Sequence, residues 1–499
     1  MDSNIRKIGI ASFLSYAIVI INTICILFLA PYIVTKVGKT QYGIYKIVTS
    51  FTASFTILDF GIGQTIVRFI AKYKAENKNE LISRVSSQFV RLIIFIDIIV
   101  FFFIIAGKII FTQIYGIRLN IYELELASKL YNIAALQLLL VIIENGASGF
   151  IAGLEGYIAV NSIKFLSVLL KYICEFTVLQ FREDMEVIVT VEAVIVLLRL
   201  SMDIMYLCGK KHFKVVWGKL DVALIKIISA YAGIIFLNSI VDQLNSNVDN
   251  LVIGAVVGSE AVAVYSFGQQ IFYMFEQISM SIATVMLPVV INLVVNSRDK
   301  EVQEAIVSAG SVQFIFLGAV FVAFFLFGKE FIILWLGKGY EDVWIITLFL
   351  MLGGIIPYSL NVTVSVLRAM NCMVFRTAAL LISAVLNAVL TYFFVKRYNY
   401  VYAAVVTSVT FILINTIVMN VYYRIRLGYD MLGIIMKIIR RPLFCLFIAG
   451  AFSYLFLMNI PTGWLFLIIK VAIFVVVYLL LIYIAIYKKG RFGCCHFGK

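Results

Sequence analysis

Several basic residues lie inside long apolar runs of this sequence, where a charge is costly and usually faces a cavity or a partner. Lys46 and Lys164 have no acidic residue one helical turn away, so we expect both to be available to bind an anion. Lys46 lies in the outer third of its run and Lys164 nearer the opposite end, which would place cations at different depths. The predicted anion-binding residues are Lys46, Lys164, Lys171 and Arg199.

Two of these cations have an acidic residue within reach on the same helix. Lys171 lies one turn from Glu175, and Arg199 lies one turn from Asp203. Oppositely charged side chains at this spacing can pair and stabilise a helix. A structural role and a ligand-binding role are equally compatible with such a pair.

Carboxylates in the apolar runs are candidates for coupling to an ion gradient, because a buried carboxylate readily holds a proton. Asp242 lies in an unusually polar stretch, so we expect it to face water rather than lipid. A solvated helix end is an equal alternative for Asp242 and Glu276, and the favoured interpretation for Asp249. The predicted ion-coupling residues are Asp242, Glu276 and Asp59, with H⁺ or Na⁺ as the ion and no cofactor.

Glycine and proline patterns predict packing and bending. Gly146, Gly149, Gly153 and Gly156 share one helix face, which favours close helix packing. The cluster of Gly353, Gly354 and Pro357 within one apolar run predicts a hinge, because proline and glycine bend helices. The predicted hinge residues are therefore Gly353, Gly354 and Pro357.

The C-terminal Cys494, Cys495 and His496 could be read as metal ligands, but we interpret them as incidental residues of a frayed tail. No metal site is predicted. With 2 histidines in the whole sequence, histidine-based catalysis is nearly excluded.

The composition requires lipid around these residues. Hydrophobic residues make up 63% and charged residues 14% of the 499 residues, whereas soluble domains have about 25% charged residues. Apolar runs of about 18 residues or more recur throughout, each long enough to cross a bilayer as a helix. The sequence therefore predicts an all-α integral membrane protein with about 14 transmembrane helices.

The distribution of charge predicts the topology. The net charge is +14, but the basic residues lie in short loops between apolar runs, which argues against nucleic acid as a partner. Alternate loops carry about 23 basic residues on one side and about 9 on the other, so both termini are predicted to be cytoplasmic. The connections are too short for a folded catalytic domain, which needs about 50 residues, so ligands must bind between helices.

The helices show signs of an internal repeat. A shift of about 220 residues superimposes Gly38 on Gly258 and Tyr45 on Tyr265, and the helix layouts of the two halves match. The repeats are parallel, and two such bundles around a cavity resemble transporters. The predicted divisions are a six-helix bundle at 1–208, a basic cytoplasmic linker at 209–221, a second six-helix bundle at 222–423, a basic cytoplasmic loop at 424–442, two C-terminal helices at 443–487 and a cytoplasmic tail at 488–499.

Two stretches resemble a known family. Residues 31–73 contain a Gly-Lys turn, then LDFGIG (58–63) and RFIAKY (68–73), and a later helix ends in GFIAGLEGY (149–157). With these motifs, the chain resembles polysaccharide exporters of the Wzx type, which flip lipid-linked oligosaccharides. They belong to the MOP (multidrug/oligosaccharidyl-lipid/polysaccharide) exporter superfamily. The resemblance covers nearly the whole chain in helix layout.

The resemblance implies a MATE-like fold and rocker-switch alternating access driven by an ion gradient. The implied substrate is an undecaprenyl-diphosphate-linked oligosaccharide, moved from the inner to the outer leaflet of a bacterial cytoplasmic membrane for surface polysaccharides such as O-antigen, capsule or exopolysaccharide. It also implies a cationic cavity, which the four predicted basic residues would supply. Membrane lipids and polysaccharide polymerase or assembly proteins are the implied partners.

Two other functions are weighed against this one. A multidrug or metabolite antiporter on the same fold would favour an anionic cavity, against which the intramembrane lysines argue. A membrane glycosyltransferase or polymerase would need a catalytic carboxylate cluster in a large outer loop. The outer acidic pair, Glu123 and Glu125, lies in a loop too small for such a site, so we predict a transporter rather than an enzyme.

Overall fold

The structure is a computed structural model that describes residues 2–76, 78–209, 217, 221–370 and 372–487, with side chains other than those of residues 2–8, 79, 234, 237, 238, 242, 486 and 487. Every element in these ranges is helical, and the described ranges contain 17 α-helical segments. Three pairs of consecutive segments each form one interrupted helix, so the segments make up 14 helices. Of the helices in the described ranges, 11 are long and apolar enough to cross a membrane. The predicted all-α membrane architecture is confirmed.

The first part of the chain forms nine helices. They are α1 (Asp2–Val37), α2 (Lys39–Ala53), α3 (Ile62–Ala75), α4 (Asn79–Tyr115), α5 (Ile121–Gly153), α6 (Tyr157–Val178), α7 (Met185–Cys208), α8 (Val222–Val256) and α9 (Ser259–Val295). A 3₁₀ turn, Ser54–Asp59, joins α2 to α3.

The second part continues with eight helices. They are α10 (Asp299–Leu336), α11 (Asp342–Ser359), α12 (Val362–Ala369), α13 (Met373–Arg397), α14 (Tyr402–Phe411), α15 (Met419–Leu427), α16 (Met431–Leu457) and α17 (Trp464–Tyr487). A π-helical segment, Ile412–Val418, joins α14 to α15.

The chain folds as two compact units, Met1–Ala263 and Val264–Lys499. The predicted first bundle ended before α8, but α8 packs against α2, α3, α4 and the 3₁₀ turn within the first unit. The first unit thus continues past residue 208, where the predicted first bundle ended, and includes α8 and the first turn of α9. The predicted domain boundaries stay predictions.

The LDFG motif forms the break between α2 and α3. The 3₁₀ turn ends at Asp59, and Phe60 and Gly61 both have left-handed backbone conformations with φ of 52° and 61°. A Cβ on Gly61 would lie 2.2 Å from Cγ2 of Ile235 in α8. Glycine is therefore required at this position both by the backbone conformation and by the close approach of α8.

The glycine face of α5 packs closely against α3, but Gly156 is not part of it, because α5 ends at Gly153 and Gly156 immediately precedes α6. A Cβ on Gly149 would lie 2.7 Å from the carbonyl oxygen of Gly63, and a Cβ on Gly153 would lie 2.7 Å from Cβ of Ile70. Such small residues let two helix backbones approach. The α3–α5 contact fixes the position of Asn145, which lies opposite the LDFG break.

The glycine turns that defined the internal repeat lie side by side in the first unit. Gly38 and Gly258 both have positive φ, at 86° and 126°. Thr40 donates a hydrogen bond of 3.2 Å to Glu260, a residue 220 positions later in the chain. The positions related by the repeat are thus in direct contact.

In the second unit, α10, α16 and α17 pack together around a large apolar core. The helix formed by α11 and α12 is interrupted at Leu360 and Asn361. Gly353, Gly354 and Pro357 lie inside α11, before this interruption. The hinge assigned to these three residues stays a prediction.

Candidate functional site

Lys171 is the centre of a buried charge cluster in the first unit. Its ammonium lies 2.7 Å from Oε1 of Glu192 in α7 and 3.7 Å from Oε1 of Glu175 in its own helix. The hydroxyl of Tyr45 donates to the same Oε1 of Glu192 at 3.1 Å. The predicted pairing of Lys171 with Glu175 is confirmed, and Glu192 is the nearer partner. We call these residues, with Lys46, the Lys171 cluster.

Lys46 is half-buried on α2 at the edge of this cluster. Its ammonium lies 5.3 Å from the ring centre of Tyr42 and 5.4 Å from that of Tyr45, distances typical of cation–π contacts. No carboxylate of the described residues lies within 4.0 Å of it. Aromatic rings stabilise this cation without neutralising it, so it can still receive an anion.

Arg199 pairs with a residue that the sequence did not single out. Its guanidinium donates to the carboxylate of Glu144 in α5, whose side chain is 1% exposed. Asp203, the partner expected from helical spacing, is buried, and neither of its carboxylate oxygens has a hydrogen-bond partner within the described ranges. The predicted pairing of Arg199 with Asp203 is therefore wrong, because the facing helix presents a nearer acid.

Asp59 connects the LDFG break to α5. Its carboxylate accepts a hydrogen bond of 3.2 Å from the side-chain amide of Asn145 and another from the backbone N–H of Ile62. Glu144, the partner of Arg199, precedes Asn145 in the chain. Adjacent residues of α5 therefore make both contacts: Asn145 bonds to the break between α2 and α3, and Glu144 pairs with Arg199 of α7. We call Asp59, Glu144, Asn145, Arg199 and Asp203 the Arg199 cluster.

The four predicted anion-binding residues thus differ in whether an acidic side chain forms an ion pair with them. Lys171 and Arg199 are paired with buried carboxylates, whereas Lys46 and Lys164 have no ion pair within 4.0 Å among the described residues. Lys164 lies near enough to Asp203 to affect it electrostatically. Lys46 in turn lies near enough to Glu192 to interact with it electrostatically, so Lys46 and Lys164 are both cations without an ion pair among the described residues.

Sequence reasoning missed two acids of the first unit. Glu144 and Asp97 both interrupt apolar runs, a signal equal to that of the residues singled out. Asp97 is half-buried on α4 close to Asp59, and its Oδ1 has no hydrogen-bond partner in the described part of the chain. These acids make the interior of the first unit mixed in charge rather than cationic.

The polar stretch of α8 packs on the break between α2 and α3. Gln243 donates to Oγ1 of Thr56 at 2.5 Å, and Asn250 donates to Oγ of Ser50 at 3.3 Å. The solvated-end interpretation of Asp249 is wrong, because this residue is 2% exposed. The side chain of Asp242 lies outside the described residues, so its predicted ion-coupling role is unchanged.

The second unit contains the remaining predicted residues. Glu276 on α9 is half-buried and accepts a hydrogen bond from the hydroxyl of Tyr358 on α11. A Cβ on Gly353 would lie 2.7 Å from Cα of Ser408, so this position of the predicted hinge is tightly packed. Cys494, Cys495 and His496 lie outside the described residues.

Comparison with solved structures defines the class of protein. The chain is similar to a lipid II flippase MurJ in an inward closed conformation, with a TM-score of 0.73, 16% identity and coverage of 96% of this chain and 99% of that chain. It is similar to an inward-facing multidrug resistance MATE transporter of the MOP superfamily, with a TM-score of 0.67, 14% identity and coverage of 81% and 94%. An outward-facing MATE transporter matches with a TM-score of 0.58, 14% identity and coverage of 85% and 95%.

These likenesses show that the chain has the fold shared by MurJ and MATE transporters, as predicted. The polysaccharide biosynthesis protein family matches residues 10–294, more than half of the chain, and the chain belongs to this family. No curated protein matches the chain. The protein is therefore a multi-pass membrane protein with a flippase or transporter fold.

Proposed function

We propose that the protein flips an undecaprenyl-diphosphate-linked oligosaccharide from the inner to the outer leaflet of a bacterial cytoplasmic membrane. Two findings support this substrate class: membership of the polysaccharide biosynthesis family and the fold shared with a lipid II flippase. The product would serve surface polysaccharide synthesis, so polymerase and assembly proteins would act next. Both termini would be cytoplasmic, in accord with the distribution of basic loops.

The observation that carries the proposal is the state of Lys46. An ammonium that lies 5.3 and 5.4 Å from the ring centres of Tyr42 and Tyr45, with no carboxylate within 4.0 Å among described residues, is a cation without an ion pair inside the first unit. Such a charge is costly unless it serves a ligand. A diphosphate carries the matching negative charge and would pair with it through charge-assisted hydrogen bonds.

Charge reversal tests the role of Lys46. In cells that lack their own exporter, Lys46→Glu should abolish surface polysaccharide while the protein still accumulates in the membrane, because a carboxylate repels the diphosphate. Lys164→Glu should have the same effect at the second uncompensated cation. Lys46→Arg, which keeps the charge, is the matched control and should retain export. Full export by both glutamate variants would refute the assignment.

Ion coupling is proposed to run through carboxylates, with Asp242 as the first candidate and Glu276 and Asp59 as further candidates. A carboxylate that exchanges a proton during transport links the two processes. Asp242→Asn should abolish the dependence of transport on an imposed pH gradient in reconstituted vesicles. If the dependence is unchanged, Asp242 has no part in coupling.

The second candidate function is a multidrug or metabolite antiporter. The acids near Arg199 favour it, since Glu144 and Asp203 outnumber the one cation that they adjoin and could attract an organic cation. Expression in a drug-sensitive host separates the two functions. Resistance to several organic cations without any effect on surface polysaccharide would favour the antiporter.

A further inference from the structure

Four basic residues line a cleft of about 1000 Å³ at one end of the second unit. The cleft lies between the beginning of α10, the first half of α16 and the last turns of α17. The four are Lys300, Lys437, Arg440 and Arg441. Arg440 and Arg441 follow Lys437 by three and four residues on α16, so both lie one turn from Lys437 on the same side of the helix.

The charge of this cleft is not balanced. None of the four cations has an ion pair within 4.0 Å among the described residues, and Glu304 is the one acid of the described lining. Some other exposed cations of the protein are compensated, in contrast: Lys36 lies 2.7 Å from Glu183, and Lys74 lies 2.8 Å from Glu155. Like charges gathered in one concave site attract a counter-anion.

The floor of the cleft is apolar. Ile434 and Ile438 are 3% and 1% exposed, and Ile482 of α17 is 7% exposed, whereas the four cations are exposed above them. Ser308 adds a hydroxyl on the α10 side, whereas the hydroxyl of Ser311 donates to the carbonyl of Val307 in its own helix. Exposed cations over a buried aliphatic floor match a molecule with an anionic head and a hydrocarbon body, rather than a small inorganic anion.

The position of the cleft along its helices matches the headgroup level. In α16 the basic residues immediately precede Pro442 and the apolar run that follows it. The predicted topology places this end of α10, α16 and α17 on the cytoplasmic side, where the leaflet is rich in anionic lipids. Basic pockets between transmembrane helices on that side are known to bind phosphate headgroups.

From this geometry we infer that the cleft is a binding site for the phosphate headgroup of an anionic bilayer phospholipid, with Lys437, Arg440 and Arg441 as its main ligands. The phospholipid is a bound component of the membrane rather than the transported substrate. The site is therefore separate from the proposed flippase function, and either can fail while the other holds.

The test is lipid binding to the purified full-length protein in detergent, followed by native mass spectrometry. Wild type should bind phosphatidylglycerol in preference to phosphatidylcholine. The triple variant Lys437→Gln, Arg440→Gln and Arg441→Gln should weaken phosphatidylglycerol binding roughly a hundredfold, since each cation near an anionic lipid contributes several-fold. The triple variant Lys226→Gln, Arg368→Gln and Arg424→Gln removes the same charge elsewhere and should bind as wild type does.

Charge-retaining substitutions guard against a folding defect. The variant Lys437→Arg, Arg440→Lys and Arg441→Lys should keep the preference for phosphatidylglycerol. Equal binding of both lipids, unchanged phosphatidylglycerol binding in the cleft variant, or full displacement of the lipid by inorganic phosphate at the same concentration would each overturn the inference.

Discussion

The interiors of the two units differ in the polar groups that they bury. The first unit buries acids on four helices, namely Glu144, Glu175, Glu192, Asp203 and Asp249. In the second unit, Lys470 is the one charged residue among the buried polar side chains in the described ranges, and the others are serine, threonine, asparagine and glutamine. Burying charge is costly in a membrane, so the first unit bears a cost of buried acids that the second unit largely avoids.

The neutral groups of the second unit have a structural role. Gln313 of α10 donates to the backbone carbonyl of Ser279 at 3.1 Å, and Ser279 donates to the carbonyl of Tyr358 at 2.7 Å. Asn361, at the interruption between α11 and α12, donates to Oγ of Ser279 at 3.3 Å. The bond from Ser279 satisfies the carbonyl of Tyr358 in the last turn before the interruption, as membrane proteins require, and the other two bonds connect Ser279 to α10 and to the interruption itself.

The largest effect should follow from breaking the ion pair of the first unit. Arg199→Leu leaves the carboxylate of Glu144 buried without a partner, which should destabilise the protein by about 3–5 kcal/mol. The measurement is thermal or denaturant unfolding of the purified protein in detergent.

The double variant Glu144→Leu and Arg199→Leu separates stability from function. Replacing both partners with apolar side chains should restore most of the stability, but surface polysaccharide export should stay lost, because the pair belongs to the charged interior. Normal export by the double variant would mean that the pair of Glu144 and Arg199 has only a structural role.

A smaller effect is expected at the LDFG break. In Gly61→Ala the new Cβ would lie 2.2 Å from Ile235, and the alanine would have to adopt a left-handed conformation. Overpacking should then destabilise the protein by about 1–3 kcal/mol, in addition to the cost of the backbone conformation. Gly428 in the second unit has a similar φ of 70° with nothing within 4 Å of a Cβ. Gly428→Ala is therefore the matched control and should cost only about 1 kcal/mol. Equal unfolding temperatures for the two variants would mean that α8 does not hold the break.

The smallest effect is expected from the buried ion pair of the second unit. Lys470 on α17 lies 2.7 Å from Glu330 on α10, and their side chains are 3% and 15% exposed. The double variant Glu330→Leu and Lys470→Met should leave stability within about 1 kcal/mol of wild type, because apolar replacement of a buried pair is often neutral. Export should be unchanged, in contrast to the double variant in the first unit. Loss of export by a stable variant would remove the distinction between the units.

The sequence predicted the helical membrane architecture and the packing face of α5, because apolar length and glycine spacing are properties of single helices. It also predicted the pairing of Lys171 with Glu175, whose partners share a helix. It could not predict that Arg199 pairs with Glu144, since that choice depends on which helix faces α7. For the same reason, spacing alone did not show that Asp249 is buried or that α8 packs in the first unit.

The LDFG motif was useful in a different way. It indicated the family by resemblance, but its structural role became clear only in three dimensions. Phe60 and Gly61 interrupt the helical chain between α2 and α3 within a run of mostly apolar residues. The interruption is held by Asn145 and α8, which are distant in the sequence, so no local pattern could reveal it.

The most direct test of the proposed function is a flipping assay with purified protein in vesicles. A fluorescent undecaprenyl-diphosphate-linked oligosaccharide is placed in both leaflets, and its exposure to a membrane-impermeant quencher is followed over time. Wild type and Lys46→Arg should make the inner-leaflet pool accessible, and Lys46→Glu should match protein-free vesicles. Accessibility that is no greater with wild type than without protein, or that is equal for wild type and Lys46→Glu, would contradict the account.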